Sequence, residues 1–232
     1  MIPSAVARIE ALPDDARVLD VGGWASPLAR ADAVVDLMPY ETRGLYGRPD
    51  GPERFTADAW YVLDICGHDP WPFADDTFDF VVCSQTLEDV RDPLRVCAEL
   101  SRIGKAGYVE VPAAREELTW GVQGAWVGWS HHRWICEIEP GPTADGTVVF
   151  SHKPHLLAEP GRHLAAGNLA GLPPKDLVLE HWWTGTLSAR EQIFWGAEDF
   201  DAWLAALLAA NGGATTAPTA GRRSLTARLR NR

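Results

Sequence analysis

The sequence predicts an α/β fold: a doubly wound, mostly parallel sheet with an antiparallel edge and a β-hairpin inserted after the fifth strand. Three observations predict it. Short apolar runs ending in an acid (RVLD, AVVD, YVLD) recur through the first 64 residues. A glycine pair, Gly22-Gly23, follows the first of them, as where a buried strand turns into a ligand-holding loop. After Pro112 the pattern changes to paired β-type runs around a Gly/Pro/Asp turn.

In chain order, Ile2 to Leu12 has the apolar spacing of a helix and stops at Pro13. Val18 to Val21 and Ala33 to Asp36 read as short buried strands. The segment YETRGLYGRPDGPERF, rich in Gly, Pro and Arg, is a long loop. Trp60 to Ile65 and Phe78 to Ser84 are the third and fourth strands. Asp92 to Ile103 is an amphipathic helix opened by Asp-Pro, and Tyr108 to Val111 is the fifth strand. Short strands alternating with helices and loops imply crossovers in a parallel sheet. RWICEIE and TVVFSHK are the arms of the hairpin, and LVLEHWW with LSAREQIF, joined by Thr-Gly, reads as the antiparallel edge. AEDFDAWLAALLAA is a closing helix, apolar at positions 200, 203, 204, 207 and 208.

With 232 residues, 46% of them hydrophobic, the chain has material for one α/β domain with insertions. It has no run of 18 apolar residues, so no membrane span is expected. The start, MIPSAVARIEALPDDARV, lacks the basic and apolar regions of a secretion signal. Cys66, Cys83, Cys97 and Cys136 are scattered without a CxxC, which reads as buried free thiols in a reducing cytoplasm. Residues 211–232 hold five arginines and no acid, leaving −16 on the rest against −11 for the whole chain. Such an acidic body argues against nucleic acid as a partner, and the Gly/Ala/Thr/Arg-rich end reads as a flexible basic tail.

RVLDVGG, AVVD, LDICGHDPWPFADDTFDFVVCSQTLEDVRDP and YVEVP together resemble a class I S-adenosylmethionine-dependent methyltransferase, over roughly residues 15–112. The run PFADDTFDFVVCSQTLEDVRDP, on strand four, is the most specific part. The resemblance implies a Rossmann-like methyltransferase domain, placed at residues 1–210, with S-adenosylmethionine as cofactor; residues 113–175, which it does not reach, are expected to be the acceptor-binding insertion. It implies that Gly22 and Gly23 let the backbone approach the cofactor, and that Asp36 accepts both ribose hydroxyls. Asp64 would accept the adenine amino group, with the Ile65 amide beside it. Asp20 would anchor the loop or reach the methionine amino group, and Ser84 would line the same site from strand four. The chain departs from the family in two places. Trp24 and Ser26 stand where alternate glycines are usual, and Asp89 replaces the histidine of LEHV. A Trp at positive φ would cost about 1–2 kcal/mol, so the glycine pair is expected to bend the chain while Trp24 points away or covers the methionine end. A short-chain dehydrogenase is disfavoured, since no tyrosine has lysine four residues later.

The acceptor is expected in the insertion, where Trp120, Trp126, Trp129 and Trp134 surround His131, His132 and Arg133. Tryptophan faces stack on sugars, planar rings and cations, which suits a small-molecule or saccharide acceptor. His131 and His132 are the candidate catalytic bases for a hydroxyl acceptor. On an extended segment they would face opposite ways, with one in the pocket. Glu110 would contact the acceptor or pair with Arg115. His131, His132, Glu137, His152 and His155 show no zinc-like spacing, so no metal ligand is assigned. Trp195 and Trp203 are expected among core or interface residues. The alternative to an enzyme is a binding or regulatory protein on the same fold, and homodimerisation is left open.

Overall fold

The computed structural model describes residues 1–47, 51–141 and 145–213. The five arginines of the basic tail lie outside them. Helix α1 (Pro3–Glu10) precedes β1 (Val18–Val21), β2 (Ala33–Asp36), β3 (Trp60–Val62) and β4 (Phe80–Ser84). Helix α2 (Pro93–Ile103), β5 (Ala106–Pro112) and the short helix α3 (Ala114–Glu117) follow. Then come β6 (Trp134–Glu139), β7 (Thr147–His152), β8 (Val178–Thr184), β9 (Ala189–Gln192) and α4 (Ala197–Ala210).

Six strands form the main sheet in the order β3-β2-β1-β4-β5-β8, parallel except for β8, which runs antiparallel to β5. The order reverses between β1 and β4, the point at which ligands settle outside the strand ends of such sheets. Alternation along the strands sets the two faces. Val18, Val34, Val82 and Tyr108 pack with Ile2, Ala5 and Ile9 of α1. Leu19, Val35, Val81 and Val109 pack with Val96, Leu100 and Ile103 of α2 on the other side. Removing a buried side chain such as Leu100 would cost about 2–5 kcal/mol. Asp92 caps α2 by accepting from the Arg95 amide at 3.0 Å, ahead of Pro93 in the first turn. Among the described residues, the links from β1 to β2 and from β2 to β3 hold no α-helix, and the second holds two short 3-10 helices.

The expected hairpin is present as β6–β7, antiparallel from Trp134↔His152 to Glu139↔Thr147. The expected pairing of LVLEHWW with LSAREQIF is corrected. β8 forms the edge alone, and β9 leaves to run parallel to β7 in a second, three-stranded sheet. The Thr-Gly link therefore carries the chain between two sheets instead of turning a hairpin. Phe200, Leu204, Leu207 and Leu208 of α4 bury against Leu118, Ile135 and Leu157 in a third cluster. Trp203 packs there with Phe194 and Phe200, whereas Trp195, expected in the core or at an interface, is outside the core and exposed on this chain.

Candidate active site

The glycine loop at the end of β1 is shaped by close contacts. Gly22 has φ +80°, and a Cβ there would lie 2.1 Å from Thr86 Oγ1. A Cβ on Gly23 would lie 2.3 Å from an Asp20 carboxylate oxygen. Both positions therefore require glycine. Asp20 is buried and accepts from the Leu28 amide at 2.8 Å, so it anchors the loop. Burial pushes its carboxyl up to about 7.

Asp36 ends β2 with both oxygens directed at the loops. One accepts from the Trp24 amide at 3.0 Å, the other from the Met38 amide at 2.9 Å. Burial raises its carboxyl above the usual range. Exposed Leu37 follows it, and Val62, its register partner on β3, is exposed too. A carboxylate with unused lone pairs beside apolar surface, above a glycine bend, suits a nucleoside with a diol and a flat ring. Trp24 has no positive φ, and its Nε1 donates to the Thr42 carbonyl at 2.8 Å in the loop after β2. Asp64 is ion-paired with Arg91 at 2.8 Å, which lowers its carboxyl, and it also accepts from the Cys66 amide. Ile65 is buried beside it. The Ser84 hydroxyl donates to Glu110 at 3.1 Å.

Glu110 is buried and does not reach Arg115. It accepts from the Ile2 amide, Tyr108 Oη, Ser84 and Gln85. The Met1 ammonium lies 3.3 Å from Glu110 Oε1, so this N-terminal charge and neutral donors stand where a pair with Arg115 was one expectation.

A second group of titratable residues joins the loop after β4 to the insertion. Thr86, packed on Gly22, opens a turn in which the Asp89 amide donates back to the Thr86 carbonyl at 3.1 Å. The amides of Arg133 and Trp134 donate to the Glu88 carbonyl, and Trp134 Nε1 donates to the Val90 carbonyl. These bonds bring His131 and His132 over Asp89. His131 Nε2 lies 3.8 Å from one Asp89 oxygen and His132 Nε2 lies 3.9 Å from the other. The segment is a turn, not extended, so the two rings stand 4.5 Å apart on the same side, and the expected opposite orientation is corrected. Asp89, the departure from the family pattern, thus faces both histidines. Burial raises its carboxyl and the histidines oppose that rise.

Behind His132 sits Glu117, 0% exposed, on α3. His132 Nδ1 lies 2.6 Å from Glu117 Oε1, and Lys153 Nζ lies 2.5 Å from Glu117 Oε2. With Glu117 accepting from both, Nδ1 is the donating nitrogen of His132, and Nε2 faces Asp89 and Glu88. Glu88 is 1% exposed, its Oε1 stands 4.0 Å from His132 Nε2, and neither of its oxygens has a hydrogen-bond partner. Glu88, Glu117 and Lys153 escape sequence reasoning, because Glu88 and Glu117 read as helix or loop acids and Lys153 as a strand end. Of the other metal candidates, Glu137 binds Trp203 Nε1, His152 packs on Trp134 and His155 packs on Trp126. A cleft of about 440 Å³ opens alongside, lined by Cys66, Arg91, Arg95, Trp134 and Phe150.

A family model described as a methyltransferase domain matches residues 53–109. The class I S-adenosylmethionine-dependent methyltransferase family is thereby supported over the stretch that runs from β3 into β5, and S-adenosylmethionine is the cofactor it implies. No curated protein matches the chain. Among solved structures, one is a complex between the Haloferax volcanii Trm112 methyltransferase activator and a methyltransferase. It matches at 22% identity and TM-score 0.36, over 47% of this chain and 50% of that one. A SAM-dependent methyltransferase from Aquifex aeolicus matches at 21% identity and TM-score 0.35, over 49% and 65%. An S-adenosylmethionine-dependent methyltransferase from Mesorhizobium loti matches at 18% identity and TM-score 0.36, over 66% and 64%. The chain spans about half the length of the first of these. Among the described residues, no helix is long and apolar enough to cross a membrane.

Proposed function

We propose that the protein is an S-adenosylmethionine-dependent methyltransferase that methylates a hydroxyl of a small-molecule or saccharide acceptor. One observation carries the reading. Thr86 packs on the cofactor-type glycine loop and, three residues on, the same turn delivers Asp89 to a histidine pair oriented by a buried carboxylate. Gly22, Gly23 and Asp36 would hold the cofactor, with Asp20 anchoring the loop and Asp64, Ile65 and Ser84 at its margins. The cofactor, when bound, supplies a methyl whose bond to the sulfonium sulfur breaks as the bond to the acceptor oxygen forms, leaving a neutral thioether. His132 Nε2 takes the hydroxyl proton, and Glu117 keeps the ring in the tautomer that can accept it. His131, more open to solvent, borders the entrance. His132 itself lines a smaller pocket with Trp126, Lys153 and His155, where Trp126 offers a partly exposed aromatic face. Four buried free cysteines suit a cytoplasmic setting, and the acidic body suits a partner other than nucleic acid. Whether two copies associate is a matter for sedimentation.

The test is release of S-adenosylhomocysteine with trial hydroxylated acceptors. His132→Ala is expected to lower turnover at least about a hundredfold with little change in cofactor affinity. Normal turnover in both His132→Ala and His131→Ala would leave positioning as the whole of catalysis. A second reading, a binding protein on this fold, is favoured by one observation: Asp36, Asp64 and Ser84 already have partners within the protein. Calorimetry with S-adenosylmethionine and a trial acceptor separates the two, since the binding protein releases no product.

A further inference from the structure

We propose that Asp89, His131 and His132 form a divalent transition-metal site at the acceptor end of the protein, with Glu88 beneath it and Glu117 orienting His132. The position assigned to the acceptor rests on the methyltransferase reading above; the site itself does not. The donor atoms of Asp89, His131 and His132 all lie within 4.8 Å of one another. Three donors bound at about 2.1 Å to a tetrahedral ion stand about 3.4 Å apart. The two imidazoles approach different Asp89 oxygens, at 3.8 and 3.9 Å, so the donors close on an ion by side-chain rotation. Two imidazoles and a carboxylate select first-row transition cations or zinc over magnesium and calcium, which prefer all-oxygen sites.

Two features beyond the cluster point to a ligand. Glu88 is 1% exposed, carries no hydrogen bond on either oxygen, and faces His132 Nε2 at 4.0 Å. A buried carboxyl group without a hydrogen-bond partner on either oxygen is an unexplained polar group beneath the cluster. The second is the Glu117–His132 hydrogen bond of 2.6 Å, the carboxylate–histidine pairing that fixes a metal-bound imidazole by its far nitrogen. The site opens on one side only: the His131 side chain is 54% exposed and Asp89 37%, while Glu88 and Glu117 close the floor. Three protein ligands on one face leave open positions toward that side. An acceptor carrying two adjacent oxygens could fill them and have its hydroxyl acidified there, which replaces direct proton removal by a free His132.

The experiment uses the full chain, stripped with EDTA and titrated calorimetrically with zinc chloride and with manganese chloride. One cation per chain is expected, with affinity lowered at least tenfold in Asp89→Asn and in His131→Ala and unchanged in His152→Ala. Both altered side chains reach water, so folding is checked by circular dichroism and is expected to persist. Glu117→Gln is expected to weaken the cation by about ten- to a hundredfold. Absence of cation binding by the wild-type chain would overturn the site, as would binding that Asp89→Asn and His131→Ala leave unchanged. S-adenosylmethionine titrated into the stripped protein reports separately on the methyltransferase reading. Cation binding without cofactor binding would uphold the site and remove its assignment to an acceptor.

Discussion

His132 Nδ1 and Glu117 Oε1 stand 2.6 Å apart, although α3 and the turn before β6 are separate elements. Lys153, from the end of the hairpin, closes the other side of the same carboxylate at 2.5 Å. The contact holds one imidazole rigidly, with its free nitrogen turned to Asp89. Glu117→Gln should therefore cut turnover at least tenfold while leaving cofactor affinity within twofold. Glu117→Ala should also lose about 3–5 kcal/mol of stability, because Lys153 would remain as an unpaired buried charge. Urea denaturation and product release measure the two effects separately.

Gly22→Ala should damage both folding and cofactor binding. The residue has φ +80°, and its new Cβ would meet Thr86 at 2.1 Å. Positive φ alone costs about 1–2 kcal/mol, and the displaced Thr86 adds to it. A melting temperature and cofactor affinity equal to wild type would show that the loop has room it is not seen to have.

Asp36→Ala should weaken S-adenosylmethionine by about 1–3 kcal/mol, the range for losing hydrogen bonds to a charged group. Because Asp36 also holds the Trp24 and Met38 amides, the variant should become easier to cleave by protease around residues 24–42. Asp36→Asn should keep part of both functions. An unchanged dissociation constant in a folded Asp36→Ala protein would remove this acid from the cofactor site.

Asp20 makes stability depend on pH. Its folded carboxyl titrates at about 7, against 3.8 for the free side chain. Between those values the folded state binds the extra proton, so stability is greatest at the acid end and falls as pH rises from about 4 to about 7, then levels. The loss over this window is of the order of a few kcal/mol, at about 1.4 kcal/mol per pH unit between the two values. Asp20→Asn should flatten this part of the profile in chemical denaturation, and a slope equal to wild type would place the titration elsewhere.

Much of the fold was legible because it rests on short-range regularities. Near-continuous apolar runs in VLDV, AVVD and FVVCS mark strands buried on both faces, and Asp-Pro marks the start of α2. The Gly/Pro-rich turn marks the β6–β7 hairpin. LSAREQIF misled, because β9 is polar and half-exposed. A strand of that kind pairs with whichever edge lies nearest, and its own residues do not say which. Trp195 misled for a related reason: its neighbours Phe194 and Trp203 turn inward while it faces water.

By itself the sequence determined the parallel sheet, the glycine bend at Gly22-Gly23, the acids at the strand ends and the crowding of histidine and tryptophan after β5. Each of these follows from neighbouring residues, whose spacing dictates the local conformation. Only the tertiary structure decided what the histidines face. Glu117 is 15 residues from His132 and 36 from Lys153, and Asp89 is 44 from Arg133, whose guanidinium binds its carbonyl. Such contacts depend on loops closing over long stretches and on burial that turns an ordinary acid into a partner. A glutamate reads the same in sequence whether water or an imidazole lies opposite, and packing made that choice here.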